Sequence, residues 1–317
     1  MDYALLNNNT QAIRDLLLNE KRFNANYEVL EAFSKTLEEG LTKTTYMRGA
    51  KKFIEWCEAN NVIEVQEEDI VAYKNYLKAN FKASSVNSYI TSLKKLYNFL
   101  AKKGIKNLAS DLHGAKNSKG FKRDALTIDQ AKDILKNIDK STKEGIRNYA
   151  IMQLFLTTGL RTIEVERANI EDIYNTGNCT FLRVMGKGHD EKDEVVKLTY
   201  ETLKAINEYL ALRDIKNDKE PLFISFSDRS NGSRLKTRSI RDIVKKTFKN
   251  VGINSDRLTT HSLRHSAITF ALIGGATIQE AQQLARHTNI NTTMIYAHNL
   301  NRLENKAEES IQKLLNE

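Results

Sequence analysis

Long apolar runs are scarce. The first 24 residues hold only short apolar runs such as Leu16 to Leu18, set among Asn, Asp and Glu; a membrane span needs about 20 apolar residues, and no signal-peptide pattern is present. Cysteine is nearly absent. Cys57 and Cys179 lie far apart, which leaves no zinc site to cysteine and suits a reducing cytoplasm. Acidic residues are missing from one place in particular. Residues 81–123 carry ten Lys and Arg against a single acid, Asp111, a net of +9, whereas residues 1–80 net −3 and the remaining residues +3. A general lysine bias would not concentrate the excess in one block, so a polyanion such as DNA is the natural partner.

What is present is ample for folding: 317 residues, 40% of them hydrophobic, are enough for two domains with cores of their own. Residues 1–24 read as a weakly helical N-terminal extension with no assigned role. From Asn26 to Gly104 the apolar residues recur at helical spacing in four segments, the second showing Ala50, Phe53, Ile54 and Cys57, the third Ile70, Tyr73 and Leu77, the fourth Val86, Ile90, Leu93, Tyr97 and Leu100. Short turns at Glu39-Gly40, Asn60-Asn61 and Ala83-Ser84-Ser85 separate them. The reading is a helical DNA-binding domain over 25–110. Its outward faces carry Lys43, Arg48, Lys51, Lys52, Lys94, Lys95, Lys102 and Lys103, and a basic linker at 111–123 adds Lys116, Lys119, Lys122 and Arg123. Contacts of this kind hold phosphates and position a protein on a duplex without reading its sequence.

A second domain is expected over 124–301. Thr127 caps a helix through Ile138, and the apolar segment Tyr149–Thr157 predicts a buried central helix ended by Gly159. Arg161 follows directly. A charge placed after a buried helix is costly without a partner, so Arg161 is a site candidate, with Glu164 or Glu166 as its structural partner. The period then changes to that of strands at Thr180–Met185 and Glu194–Leu198, joined by GKGHDEKD, a loop that sets Lys187 between two glycines. A helix over Tyr200–Arg213, a short strand near Leu222–Phe226 and a helix over Thr237–Val251 complete the approach to the last segment.

That segment gathers the chemistry. His261 and Arg264, three apart on an apolar-periodic helix, share a face. Gly274 and Gly275 end the helix, Thr277 and Glu280 have capping-box spacing for the next, and Asn291 can cap a third helix that carries Tyr296. Three helix termini thereby bring His261, Arg264, His287 and Tyr296 to one pocket. Phosphoryl transfer asks for positioning and positive donors where charge develops; arginine supplies a planar fork, and a tyrosine hydroxyl needs such neighbours to act as a nucleophile at neutral pH.

With these residues in order, the chain resembles the tyrosine recombinase (phage integrase) family, in particular its compact Xer-like members. The resemblance rests on TTGLRTIEV at 157–165, VMGKG at 184–188, HSLRHSAIT at 261–269 and LARHTNINTTMIYAH at 284–298. It implies a mainly α fold with a small antiparallel β-sheet in the second domain, arranged as a two-domain DNA clamp of helical core-binding and catalytic domains. It further implies that Tyr296 attacks a DNA phosphate to give a 3′-phosphotyrosyl enzyme, that Arg161 and Arg264 hold the non-bridging oxygens, that Lys187 protonates the leaving 5′ oxygen, that His261 assists proton transfer at the tyrosine and that His287 hydrogen-bonds the phosphate. Glu164 stands where the family keeps a supporting acid. No metal or other cofactor is called for, because the covalent bond conserves the energy of the broken one. Two features depart from the family pattern: Arg286 stands where many relatives have Gly before the histidine, and the hairpin is acidic, with Asp190, Glu191, Asp193 and Glu194.

Residues 302–317 predict an amphipathic C-terminal helix with Leu303, Ala307, Ile311, Leu314 and Leu315 on one stripe. In relatives such a helix links protomers, which makes docking in trans, in a tetramer on two DNA sites, the expectation. A partner recombinase or accessory protein is left open, no membrane partner is implied, and the expected location is cytoplasmic. Rival readings are a type IB topoisomerase-like nicking and closing enzyme and a non-catalytic DNA-binding regulator.

Overall fold

The computed structural model describes residues 22–62, 64–116, 125–186, 191–304 and 307–316. The chain divides into two units, Met1–Gly120 and Phe121–Glu317. The first is helical: α1 (Arg22–Lys35), α2 (Leu41–Ala59), α3 (Glu67–Asn80) and α4 (Ala83–Ala101). Phe33, Phe53, Trp56, Tyr73, Leu93 and Tyr97 build its core. The Phe53 and Tyr73 rings meet edge-on at 4.9 Å, a geometry contributing about 0.5–1.5 kcal/mol beyond area burial. Where α2 crosses α4 the backbones come close: a Cβ on Gly49 would lie 2.3 Å from the Ser92 side chain, so any larger residue would push the helices apart.

Two expectations need correction here. The turn at Ala83–Ser85 is already the first turn of α4; the break falls at Phe81-Lys82, where Lys82 is extended at φ −64, ψ 147. The segment from residue 111, expected to be a linker, is docked as far as Ala115. Ala109 and Leu112 are buried in the helical core, and the Asn87 side chain accepts from the Ala115 N–H at 2.7 Å and donates to its carbonyl at 3.1 Å. Polar composition suggested a free chain, but one amide that mimics a backbone partner is enough to pin it.

The second unit runs α5 (Ile128–Lys136), α6 (Lys143–Thr158), α7 (Thr162–Arg167), a 3-10 turn, β1 (Ile173–Thr176), β2 (Cys179–Val184), β3 (Glu194–Leu198), α8 (Tyr200–Leu210), α9 (Thr237–Asn250), α10 (Thr260–Ile273), α11 (Ile278–Ala285), α12 (Ile290–Glu304) and α13 (Ala307–Asn316). The sheet is antiparallel in the order β1-β2-β3, the small sheet on a mainly helical scaffold that the family resemblance implies. The strand expected near Leu222–Phe226 is not formed; Pro221 and Ile224 make only isolated bridges, to Asn169 and Arg234. Helix α6 is the centre of the core, with Ala150, Ile151, Met152, Leu154 and Phe155 fully buried. A helix apolar on every side is stable only where neighbours cover it all round.

Helix boundaries follow capping chemistry. Thr127 accepts from the Gln130 N–H at 3.1 Å while Gln130 accepts from the Thr127 N–H, and Thr277 and Glu280 repeat the exchange at the start of α11. The third helix of the site departs from expectation. It begins at Ile290, and the capping side chain is Asn289, which accepts from the Asn291 N–H at 2.9 Å. Two Asn residues two apart offer the same local signal, and packing decides between them. Among the described residues no helix is long and apolar enough to cross a membrane.

Candidate active site

The pocket forms where helix ends of the second unit meet. Gly159 closes α6 in the left-handed region at φ 60, which glycine enters without steric cost. Its carbonyl accepts from one Arg264 nitrogen at 2.7 Å, and the Ala285 carbonyl at the end of α11 accepts from the other. Both are helix C-terminal carbonyls with no helical partner, where a cation is favoured. Arg264, 2% exposed, therefore ties α6, α10 and α11 together with two of its donors, and a guanidinium has five. Burial, with the neighbouring charges of Arg161 and Arg286, lowers its pKa to about 10, still a cation near neutral pH.

Arg161 precedes α7 and is held by Glu164. Its guanidinium donates to Oε1 at 2.6 Å and its backbone N–H to Oε2 at 2.7 Å. Glu164 is fully buried, and its Oε2 also receives Arg286 at 2.7 Å. Of the two partners the sequence offers Arg161, the structure selects Glu164; Glu166 instead accepts from the Thr237 N–H at 2.6 Å. Arg161, Arg264 and Arg286 thus stand near two carboxylates, Glu164 and Glu194, an excess of positive charge that an incoming anion would relieve.

Tyr296, on α12, is 6% exposed. Its hydroxyl is hydrogen-bonded to His265 Nδ1, one residue past Arg264 on α10. His261 stands one turn back on the same face, its ring 4.7 Å from that of His265. The His287 ring lies 6.4 Å from Tyr296, and its Nδ1 contacts the Thr293 hydroxyl at 2.9 Å. Burial, partly offset by Arg264, pushes the Tyr296 phenol up to about 12, so it keeps its proton near neutrality and needs an acceptor to react.

Arg161, Arg264, His287 and Tyr296 are thus brought together, with Glu164 beneath and exposed His261 at the rim beside His265. Lys187 lies outside the described residues. So do Lys119, Lys122 and Arg123 and almost all of the N-terminal extension. Of the remaining basic candidates on the first unit, Lys43 pairs with Glu39 at 2.5 Å, Lys51 and Lys52 approach Glu55 at 4.0 and 3.6 Å, and Lys94 donates to the Ser110 carbonyl at 3.0 Å. Arg48, Lys95, Lys102 and Lys116 are exposed. Among the described residues no cluster of three or more His, Cys, Asp and Glu could hold a metal ion.

Two contributors escaped the sequence reading, His265 and the bridging role of Arg286. His265 sits inside the HSLRH motif four residues from His261, hence on the same helical face. That spacing was the available signal.

One pH dependence follows. Burial, reinforced by the charges of Arg264, Arg161, Arg286 and His261, depresses the His287 pKa from 6.5 to about 4. Between those values the unfolded chain binds a proton at this position that the folded chain excludes. Stability therefore rises with pH through that window and is lost as pH falls from about 6.5 towards 4. Urea unfolding at a series of pH values is expected to show a shallower acid slope for His287→Gln than for the parent; equal slopes would contradict a depressed histidine.

Comparison with known proteins places the chain in a family. The model of the phage integrase family matches residues 124–302, and that of the phage integrase N-terminal SAM-like domain matches residues 28–107. Tyrosine recombinase XerC of Caldanaerobacter subterraneus subsp. tengcongensis is 32% identical over 243 residues, 74% of this chain and 65% of that protein. The TnP I resolvase of Bacillus thuringiensis is 30% identical over 300 residues, 89% of this chain and 99% of that protein. Among solved structures, XerH site-specific recombinase bound to palindromic difH substrate, a post-cleavage complex, superposes with a TM-score of 0.71 at 19% identity, covering 96% of this chain and 97% of that one. At that identity the likeness is one of fold.

Proposed function

This chain belongs to the phage integrase family and is a tyrosine-type site-specific DNA recombinase, and from that premise we propose how its side chains carry the reaction. The Tyr296 hydroxyl attacks a DNA phosphate; the new bond joins the phenolic oxygen to phosphorus, the bond to the 5′ oxygen breaks, and the DNA is left with a 3′-phosphotyrosyl link and a 5′-hydroxyl. Arg161 and Arg264 meet the non-bridging oxygens, and neutral His287 donates to one of them. Lys187 delivers the proton to the leaving oxygen. The carrying observation is a buried phenol hydroxyl seated on a histidine nitrogen and facing a buried arginine.

The hydrogen bond between the Tyr296 hydroxyl and His265 Nδ1 supports His265 as the acceptor of the phenol proton, a role the family resemblance implies for His261. With the phenol protonated, its O–H donates, Nδ1 accepts and the ring's own proton resides on Nε2. The test is adduct formation on nicked suicide duplexes drawn from DNA flanking the gene, where release of a short 5′-hydroxyl strand traps the intermediate. Adducts are expected from the parent, with His265→Ala slower than His261→Ala by about tenfold. The opposite order would return the proton to His261, and no adduct from the parent on any site would end the recombinase reading.

Double-stranded recombination sites are the partners, held at their phosphates through Arg48, Lys95, Lys102, Lys116 and the other basic residues of 25–123, by a protein acting in the cytoplasm. A tetramer on two sites is supported by α13, where Ile311, Leu314 and Leu315 are 57, 73 and 75% exposed at helical spacing. Such a stripe gains most by docking on a neighbour. Removing residues from Arg302 onward is expected to spare cleavage of a single site and abolish pairing of two, seen as loss of the two-duplex complex on native gels. Unimpaired synapsis would place α13 at home.

A further inference from the structure

Arg286 occupies a conformation that its chemistry does not favour. It ends α11 at φ 52, ψ 47, and among the described residues the other non-glycine with positive φ is Asn61, a residue type that tolerates this region. For arginine the left-handed region brings Cβ against the following carbonyl. Its side chain is moreover almost buried, where an unpaired guanidinium would be costly. Both penalties are met by what the side chain holds: Nε donates to Glu194 Oε2 at 3.0 Å, one terminal nitrogen donates to Glu164 Oε2 at 2.7 Å and the other to the Leu284 carbonyl at 3.0 Å.

These contacts join parts far apart in sequence. Glu194 opens β3, Glu164 lies in α7, and Arg286 immediately precedes His287. Glu164 is the shared element, since its other oxygen holds the Arg161 guanidinium and its Oε2 the Arg161 backbone. Without Arg286 the buried carboxylate would keep one guanidinium and have reason to rotate toward it, carrying Arg161 with it. We propose that Arg286 is a positioning residue for strand cleavage, bridging Glu164 and Glu194 so that Arg161 is held where it meets the scissile phosphate. This rests on the recombinase reading above. Arg286 itself faces the two carboxylates and is not assigned a contact with DNA.

The experiment is single-turnover adduct formation on a suicide duplex at saturating DNA, with DNA affinity and melting temperature measured for each variant. Arg286→Gly removes the bridge and suits the backbone. It is expected to slow adduct formation about a hundredfold while DNA affinity stays within about threefold of the parent. Arg286→Lys keeps the charge without the fork and is expected to be nearly as slow. Glu194→Gln approaches the bridge from a partly exposed residue that the fold can spare; it should slow the reaction about tenfold, and adding it to Arg286→Gly should slow the reaction no further, because both break one bridge. A purely structural staple would lower the melting temperature and leave the rate, read well below melting, unchanged. That result, a fully active Arg286→Lys, or additive effects would overturn the proposal with the recombinase reading intact. A parent that forms no adduct would remove both.

Discussion

Tyr296→Phe is expected to abolish covalent capture of DNA, by about 10⁴-fold or more, since loss of a nucleophile leaves only the binding and charge stabilisation around it. Phenylalanine keeps the ring that packs with Ile268, Ala281 and Ala285, so the pocket stays filled. The change loses the hydrogen bond to His265, a loss of about 0.5–1.5 kcal/mol in stability. Affinity for duplex DNA is expected to stay near the parent's, since the basic faces of the first unit are untouched. This pattern separates a recombinase from a DNA-binding regulator, which would keep its whole function. Retained capture by the purified variant would mean that another of the 12 tyrosines, or another nucleophile, attacks.

Arg264 carries the second large effect because it serves fold and chemistry together. Arg264→Gln is expected to slow cleavage about 10²–10³-fold, the usual cost of removing one donor aimed at developing phosphate charge. It also deprives the Gly159 and Ala285 carbonyls of their donor, and a buried acceptor left unpaired costs about 1–3 kcal/mol. Arg264→Lys keeps the positive charge, yet one ammonium cannot span two carbonyls and still present a fork to a phosphate. Its rate is expected to fall close to that of the glutamine variant when read well below both melting temperatures. Parental activity in Arg264→Lys would show that charge alone is enough.

Local chemistry made much of this readable beforehand. Gly159, the Thr127 cap, the Thr277 capping box, and the helical spacing of His261 and Arg264 depend on neighbours within a few residues, and each stands where the sequence predicts it. The pairing of Arg161 with Glu164 was legible for the same reason. What was not legible depends on contacts between distant segments. His265 becomes the partner of Tyr296 only through the packing of α12 on α10, a geometry that the HxxR spacing does not contain. Arg286 reads as a departure from a glycine, and its use appears only when Glu164 and Glu194, 122 and 92 residues away, converge on it. Composition misled at 111–115, where one asparagine docks a polar segment, and near Leu222–Phe226, where an apolar run packs in the core without a strand partner.

The central claim is that one phenolic oxygen becomes bonded to phosphorus. Trapping the adduct on a suicide duplex, digesting the protein and sequencing the DNA-linked peptide by mass spectrometry tests it directly. The account predicts a single peptide containing Tyr296 joined to the 3′ phosphate of the cleaved strand. A DNA link at any other residue, or to a 5′ phosphate, would contradict it.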